Sequence, residues 1–459
     1  MLKSAILLLF GSALLTNVCG DEDDIYMDFL TESNHREIPE MTVPQLIKYW
    51  GYPVEEHWVT TEDGYILGLH RIPYGKDGLD VHDEPRPVVY MQHPLTASSG
   101  AWVFGPPTKS LGFILADQGY DVWMSNSRGN TYSRNHTYLD PCALERCKEF
   151  WDFDWHEGGL YDVSAGIDFV LKSTGMEQVN YIGHSMGTTQ YLVLLSSRPE
   201  YNEKIKLGVL LAPPAYMSHA SNPIFLDKTW CSSGSSSIYE PCIQPYIFRI
   251  KLGVLLAPPA YMSHASNPIF DIAVWAGDVE ILYHLFGFYE FLPHYDIISW
   301  FAHSFCGDEH PLTSILCTNI GFLILGFNPG ELNGTMIPTY LDHIPEGTST
   351  RTFTHYAQLF LSENFESYDF GEAENLRRYN QTTPLQYQLE KVTAPTAIFK
   401  GDHDSLVSLD DVEILVNRLP NVVFDHLVEI TGWTHTSYII ATNADQLIYK
   451  YVVDLLEEY

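Results

Sequence analysis

Basic residues are scarce: 25 Lys and Arg face 58 Asp and Glu in 459 residues, a formal net charge of −33. A nucleic-acid reader needs a basic footprint, so this balance argues against that class. It also disfavours simple electrostatic attraction to an anionic membrane, so any contact with lipid has to be apolar. Long apolar runs are missing too. Beyond the N-terminus no stretch approaches the roughly 18 apolar residues of a membrane-spanning helix. Charged residues make up only 18% of the chain, which leaves 45% apolar and 14% aromatic residues, enough for a large core. This length often means two or three domains, although α/β enzymes can run as long in one body.

The N-terminus is read as a signal peptide. Lys3 precedes the apolar residues 5–10 and 13–15, small residues lead to Gly20, and an acidic run starts at Asp21. The apolar run is too short for an anchor, so cleavage after Gly20 and passage through the secretory pathway are expected. Without Cys19, six cysteines remain: Cys142, Cys147, Cys231, Cys242, Cys306 and Cys317. In an oxidising compartment these favour disulfides, although six cysteines allow 15 pairings. Cys306 with Cys317 is the preferred pair, its short loop contributing roughly 3 kcal/mol through chain entropy. Asn135, Asn333 and Asn380 each open an Asn-X-Thr glycosylation sequon.

Strands and helices alternate. Residues 60–72 read as two strands around an Asp63-Gly64 turn, and Pro87–Met91, Tyr120–Met124 and Leu207–Pro213 as buried strands. Tyr161 to Leu171 carries apolar residues at helical spacing, and a helix is expected from Ala444 to Glu458. This pattern predicts an α/β fold with a mostly parallel sheet covered on both faces. From about Tyr216 to Arg378 the alternation gives way to aromatic-rich helical segments. The expected organisation is a signal peptide (1–20), an α/β body (21–215 and 379–459) and an inserted helical cap (216–378). Residues 205–225 recur identically at 250–270, offset by 45 positions. Two copies do not make a solenoid, and perfect identity points to a recent duplication or a faulty gene model.

The segment Gly183-His184-Ser185-Met186-Gly187 follows an apolar strand and precedes a helix-forming run. Such a G-x-S-x-G turn exposes a nucleophilic serine above a sheet, with glycines where side chains would strike the neighbouring strand and helix. A serine hydroxyl is a weak nucleophile and needs an imidazole oriented by a carboxylate. In this fold the chain order is Ser, then acid, then His. His435, between the last strand and the last helix, is the expected base. Asp402 and Asp404, after the strand at 397–399, are both acid candidates. An Asp-His-Asp metal site is disfavoured, because one short cluster rarely supplies a full ligand set. No metal or cofactor is expected. The oxyanion donors are expected to be the N–H groups of Met186 and of Leu95, after Gln92-His93-Pro94.

These motifs resemble the acid lipase family that includes gastric and lysosomal acid lipases. The matching segments include Ile47–Pro53, Val59–Leu67, Ser125–Asn130, Phe150–Phe153, Gly183–Thr189 and the His435 loop. The resemblance runs from about residue 38 to 455, apart from the duplication. It implies an α/β-hydrolase with Ser185, Asp404 and His435 as a triad, since the family's acid falls just before an apolar segment like Leu406-Val407. It also implies a mobile lid near Ile298–Phe327, stapled by Cys306–Cys317, and hydrolysis of triacylglycerols or sterol esters at a lipid–water interface. One departure is Pro94, where the family usually has glycine; proline fixes φ and lacks an N–H, but the Leu95 donor survives. A carboxylesterase for short soluble esters is the alternative. A non-catalytic lipid-binding protein, or a defective product of the duplication, is a third reading. Oligomeric state is not legible.

Overall fold

A computed structural model describes residues 41–76, 78, 86–141, 147–220, 289–294 and 336–459. The Asp63-Gly64 turn joins strand β1 (Glu55–Thr60) to β2 (Tyr65–Ile72), antiparallel, with Thr60 opposite Ile66. Gly64 sits at φ +101°, in a region glycine enters at little cost. The sequence places both arms within 60–72, but the first runs back to Glu55. The Thr61 N–H closes the turn on the Tyr65 carbonyl at 2.8 Å, so pairing extends upstream of Thr60.

The other strands are β3 (Val88–Gln92), β4 (Asp121–Ser125), β5 (Asn135–His136), β6 (Val179–His184), β7 (Ile205–Leu211), β8 (Glu290–Phe291), β9 (Thr348–Ser349), β10 (Thr396–Lys400) and β11 (Val422–Leu427). The main sheet runs β1-β2-β4-β3-β6-β7-β10-β11, with β5 beside β2; β8 and β9 form a separate two-stranded antiparallel sheet. From β4 to β11 every neighbour is parallel. Parallel neighbours need crossovers, and helices supply them: Leu111–Asp117, Ser164–Thr174, Met186–Ser197 and Leu409–Arg418.

The apolar strands are buried on both faces. Val88, Tyr90, Tyr181, Leu210 and Ile398 face one core, shared with Leu192 and Leu195 of the helix Met186–Ser197. Val89, Met91, Ile182, Val209 and Phe399 face the other, shared with Val452 and Leu456 of the last helix, Lys450–Glu458. Each such side chain contributes about 1.5–3 kcal/mol on burial.

The expected helix over 161–171 begins instead as a π-helical turn, Gly158–Val163, and becomes α-helical at Ser164–Thr174. The π turn presses Gly158 and Gly159 onto Gln190 and Val193, where a Cβ on either glycine would collide. The C-terminal helix likewise opens with a π turn, Asp445–Tyr449. After β4, Arg128 is buried between Asp162 and Asp63, with 2.6 Å ion pairs to each. That tie joins the β4 loop to the π turn and to the β1–β2 turn.

Residues 205–220 of the first repeat copy are integrated into the body. β7 lies between β6 and β10, and the His219 N–H donates to Asp411 at 2.9 Å. The helix Thr350–Ser362 packs Tyr356, Leu359 and Phe360 into the first core, and the Tyr356 hydroxyl lies 3.0 Å from Thr189 Oγ1. The signal-peptide segment, the second repeat copy, the lid segment, Cys306, Cys317 and Asn333 lie outside the described residues. Among the described residues no helix is long and apolar enough to cross a membrane.

Candidate active site

β6 ends against its neighbours at the turn that carries Ser185. The serine backbone has φ 52° and ψ −116°, a conformation L-residues rarely adopt, and its N–H donates to the Leu211 carbonyl of β7 at 2.9 Å. The flanking glycines are sterically required. A Cβ on Gly183 would lie 2.8 Å from the Gly187 carbonyl carbon, and one on Gly187 would run into the Gln92 carbonyl. The turn is thereby pressed against the loop that follows β3.

Ser185 Oγ lies 2.6 Å from His435 Nε2, and His435 Nδ1 lies 2.8 Å from Asp404 Oδ2. Asp404 Oδ1 accepts the N–H groups of Leu406 and Val407, both at 2.9 Å, which fixes the carboxylate in one orientation. All three residues are buried. An ionised carboxylate only accepts, so the His435 hydrogen sits on Nδ1 and Nε2 offers a lone pair to the serine hydroxyl.

Of the two aspartates left open by the sequence, Asp404 is the one on the imidazole. Asp402 instead accepts the N–H groups of Gly432 and Trp433, at 3.0 and 3.1 Å. Partial burial works against its charge, but the hydrogen bonds from His403, Gly432 and Trp433 hold its carboxyl below the usual range.

The Met186 N–H opens the helix Met186–Ser197, where no intrahelical acceptor exists for it. Leu95 lies just beyond β3, whose Gln92 pairs with Gly183. The Pro94 carbonyl accepts from His93 Nδ1 at 2.8 Å and from the Ala97 N–H at 3.3 Å. Across a trans peptide the N–H points opposite to the carbonyl, so this anchorage sets the direction of the Leu95 N–H. The Thr96 carbonyl is held by the Glu346 N–H at 2.9 Å, with Thr96 itself at φ 55°. Pro94 fits this loop because its carbonyl, not an N–H, is the group in use. His93 Nε2 accepts the Ser127 N–H at 2.9 Å, and burial pushes this imidazole down to about 4.

Two contacts here escape a sequence reading. The gripping of Pro94 by His93 needs the loop's conformation to be seen. His184 donates from Nε2 to the His435 carbonyl at 2.8 Å, across 251 positions of chain. The only local signal for it is the place of His184 beside Ser185 in the G-x-S-x-G turn.

Fold and site together define an ester hydrolase of the α/β-hydrolase class. Residues 43–105 match the partial α/β-hydrolase lipase region, and residues 87–230 the α/β hydrolase fold. The chain is 37% identical to the gastric triacylglycerol lipase of Mus musculus, over 91% of this chain and 92% of that one. It is 36% identical to the lysosomal acid lipase/cholesteryl ester hydrolase of Homo sapiens and 35% identical to human lipase member K, each covering 91% of both chains. A solved structure from Sulfolobus solfataricus shares the fold at a TM-score of 0.51 and 15% identity, over 88% of this chain and 94% of that one. The chain belongs to the acid lipase family, and it is a lipase.

Proposed function

We propose that this lipase hydrolyses the carboxylic ester bonds of neutral lipids, triacylglycerols or sterol esters, through an acyl-enzyme on Ser185. The observation that carries this reading is the unbroken hydrogen-bonded row Ser185–His435–Asp404 above the parallel strands. Ser185 Oγ attacks the ester carbonyl carbon while its proton passes to His435 Nε2, and Asp404 steadies the resulting imidazolium. The tetrahedral oxyanion accepts from the N–H groups of Leu95 and Met186; losing one such donor costs roughly 3–4 kcal/mol. The C–O bond to the alcohol then breaks, and the alcohol leaves with the proton from His435. Water, activated by the same imidazole, releases the fatty acid.

The aromatic-rich cap, residues 216–378, and the relatives' action on triacylglycerols and cholesteryl esters favour long acyl chains over short soluble esters. The signal-like N-terminus and the gastric and lysosomal relatives favour a secreted or lysosomal enzyme. In such a compartment Asn135, Asn333 and Asn380 would carry glycans and Cys306–Cys317 a disulfide; Asn135 and Asn380 are exposed. Turnover of dispersed long-chain triacylglycerol and sterol ester, compared with a soluble short-chain ester, tests the substrate class. A marked preference for the soluble ester would make the protein a carboxylesterase.

A further inference from the structure

His184 precedes the nucleophile at the end of β6, and its side chain is buried. Its Nε2 lies 2.8 Å from the His435 backbone carbonyl, which can only accept, so Nε2 carries the hydrogen. Nδ1 is buried and has no hydrogen-bond partner among the described residues. The ring lies 5.3 Å from the His435 ring and 5.7 Å from that of Tyr438. We propose that His184 is a positioning residue, fastening the backbone of the base to the strand that carries the nucleophile and staying uncharged while His435 takes up the reaction's proton.

Three anchors act on the base. Asp404 sets the ring of His435, and Asp402 holds its loop at Gly432 and Trp433. His184 holds the loop at His435 itself. Because Ser185 directly follows His184, this last bond links nucleophile and base almost without intermediary. A reacting geometry of this kind tolerates little displacement; a shift of about 1 Å can cost on the order of 100-fold in rate.

Two imidazolium rings this close would repel each other. Burial, and then the proximity of His435, pushes His184 down to about 3. It therefore stays neutral at acid pH where an ordinary imidazole would be charged. The titratable groups seen against it are His435 of the base loop and Tyr438 of the short helix Ser437–Ile440 that follows, and its partner on β7, Leu211, carries none.

The test compares His184→Phe, His184→Asn and His184→Gln in the full-length protein. A soluble p-nitrophenyl ester is the substrate, and competent sites are counted with a fluorophosphonate. Phenylalanine keeps the ring and loses the donor, asparagine is too short to reach, and glutamine can present an amide N–H near the place of Nε2. The Phe and Asn variants are expected to lose at least tenfold in kcat per competent site, with KM within twofold. The acid limb of their kcat/KM profile is expected to move to lower pH, as His435 loosens from Asp404. Glutamine is expected to restore kcat to within threefold of wild type. If His184→Phe does not fold, the Asn-against-Gln comparison decides. Wild-type kcat and pH profile in Phe or Asn overturns the proposal. So does a Gln variant as slow as Asn, or failure of all three to fold, which would make the role one of packing alone.

Discussion

Asp402 and Asp404, two residues apart on the loop after β10, grip the base loop at different points: Asp404 accepts from the His435 ring, and Asp402 from the backbone of Gly432 and Trp433. Asn in place of Asp404 could offer an N–H to Nδ1 and stabilise the wrong tautomer. Asp404→Asn is therefore expected to lower kcat by on the order of 10⁴-fold. Asp402→Asn keeps an acceptor oxygen, so its loss should stay within tenfold. Steady-state kinetics on folded variants decides, and the reverse ranking would move the acid role to Asp402.

The backbone at Ser185 gives a second contrast. Ser185→Ala removes the attacking oxygen but keeps the Cβ and its φ of 52°. Hydrolysis is expected to fall by on the order of 10³-fold or more. Ser185→Gly is equally inactive but relieves a strain of about 1–3 kcal/mol. Glycine's added freedom in the unfolded chain returns roughly 0.5–1 kcal/mol of that. Urea unfolding should find Ser185→Gly about 1 kcal/mol more stable than Ser185→Ala. Equal midpoints would mean that the elbow is not strained.

What the sequence made legible was local. The elbow and the apolar parallel strands each announce themselves within about ten residues, through glycine spacing and continuous hydrophobicity. The carboxylate partner of His435 is harder, because Asp402 and Asp404 share one loop: chain order and spacing leave both open, and only the resemblance of the segment before Leu406-Val407 favours Asp404. The π turns at Gly158–Val163 and Asp445–Tyr449 change the helical register without changing composition, so periodicity misses them. Arg128 reads as a loop residue; its buried place follows from Asp63 and Asp162, both distant in the chain.

Buried imidazoles give the stability a pH dependence. Burial holds His70 and His93 near 4 and His184 near 3, against 6.5 when exposed. The unfolded chain therefore takes up protons that the fold refuses. Stability is full above about 6.5 and is lost as pH falls toward 4, by up to about 1.4 kcal/mol per pH unit and group. Asp162 runs the other way: burial, outweighing its attraction to Arg128, raises it to about 6 from 3.8, so that it gains stability between those values as pH falls. His70→Gln removes one imidazole, and its urea midpoint should drop less than that of wild type between pH 6.5 and 4.5. An equal drop would show that His70 is protonated in the fold.

The duplication yields the last prediction. β7, from the first copy, is hydrogen-bonded along both edges, to β6 through pairs such as Ile182–Val209 and to β10 through pairs such as Ile398–Leu210. The same copy places Ala215, Tyr216 and Met217 in the core, and Ser218 and His219 on Asp411. No free edge remains in that slot for the identical residues 250–270. A surplus Leu-Gly-Val-Leu-Leu-Ala segment, uncharged, apolar and identical to a core strand, is an aggregation hazard wherever it lies. Deleting residues 226–270 joins Phe225 to Asp271, which reproduces the junction Phe270-Asp271 that the chain already contains. The shortened protein is expected to match the full chain in kcat on a soluble ester, and to stay monodisperse at concentrations where the full chain aggregates. Deleting 205–225 instead would leave β6 and β10 to be joined by a copy that must thread in after the 24 residues 226–249. Connections of 2–6 residues are usual after a crossover helix, so this second deletion is expected to fold less efficiently. If removal of 226–270 unfolds the protein, the second copy carries part of the fold and is not surplus.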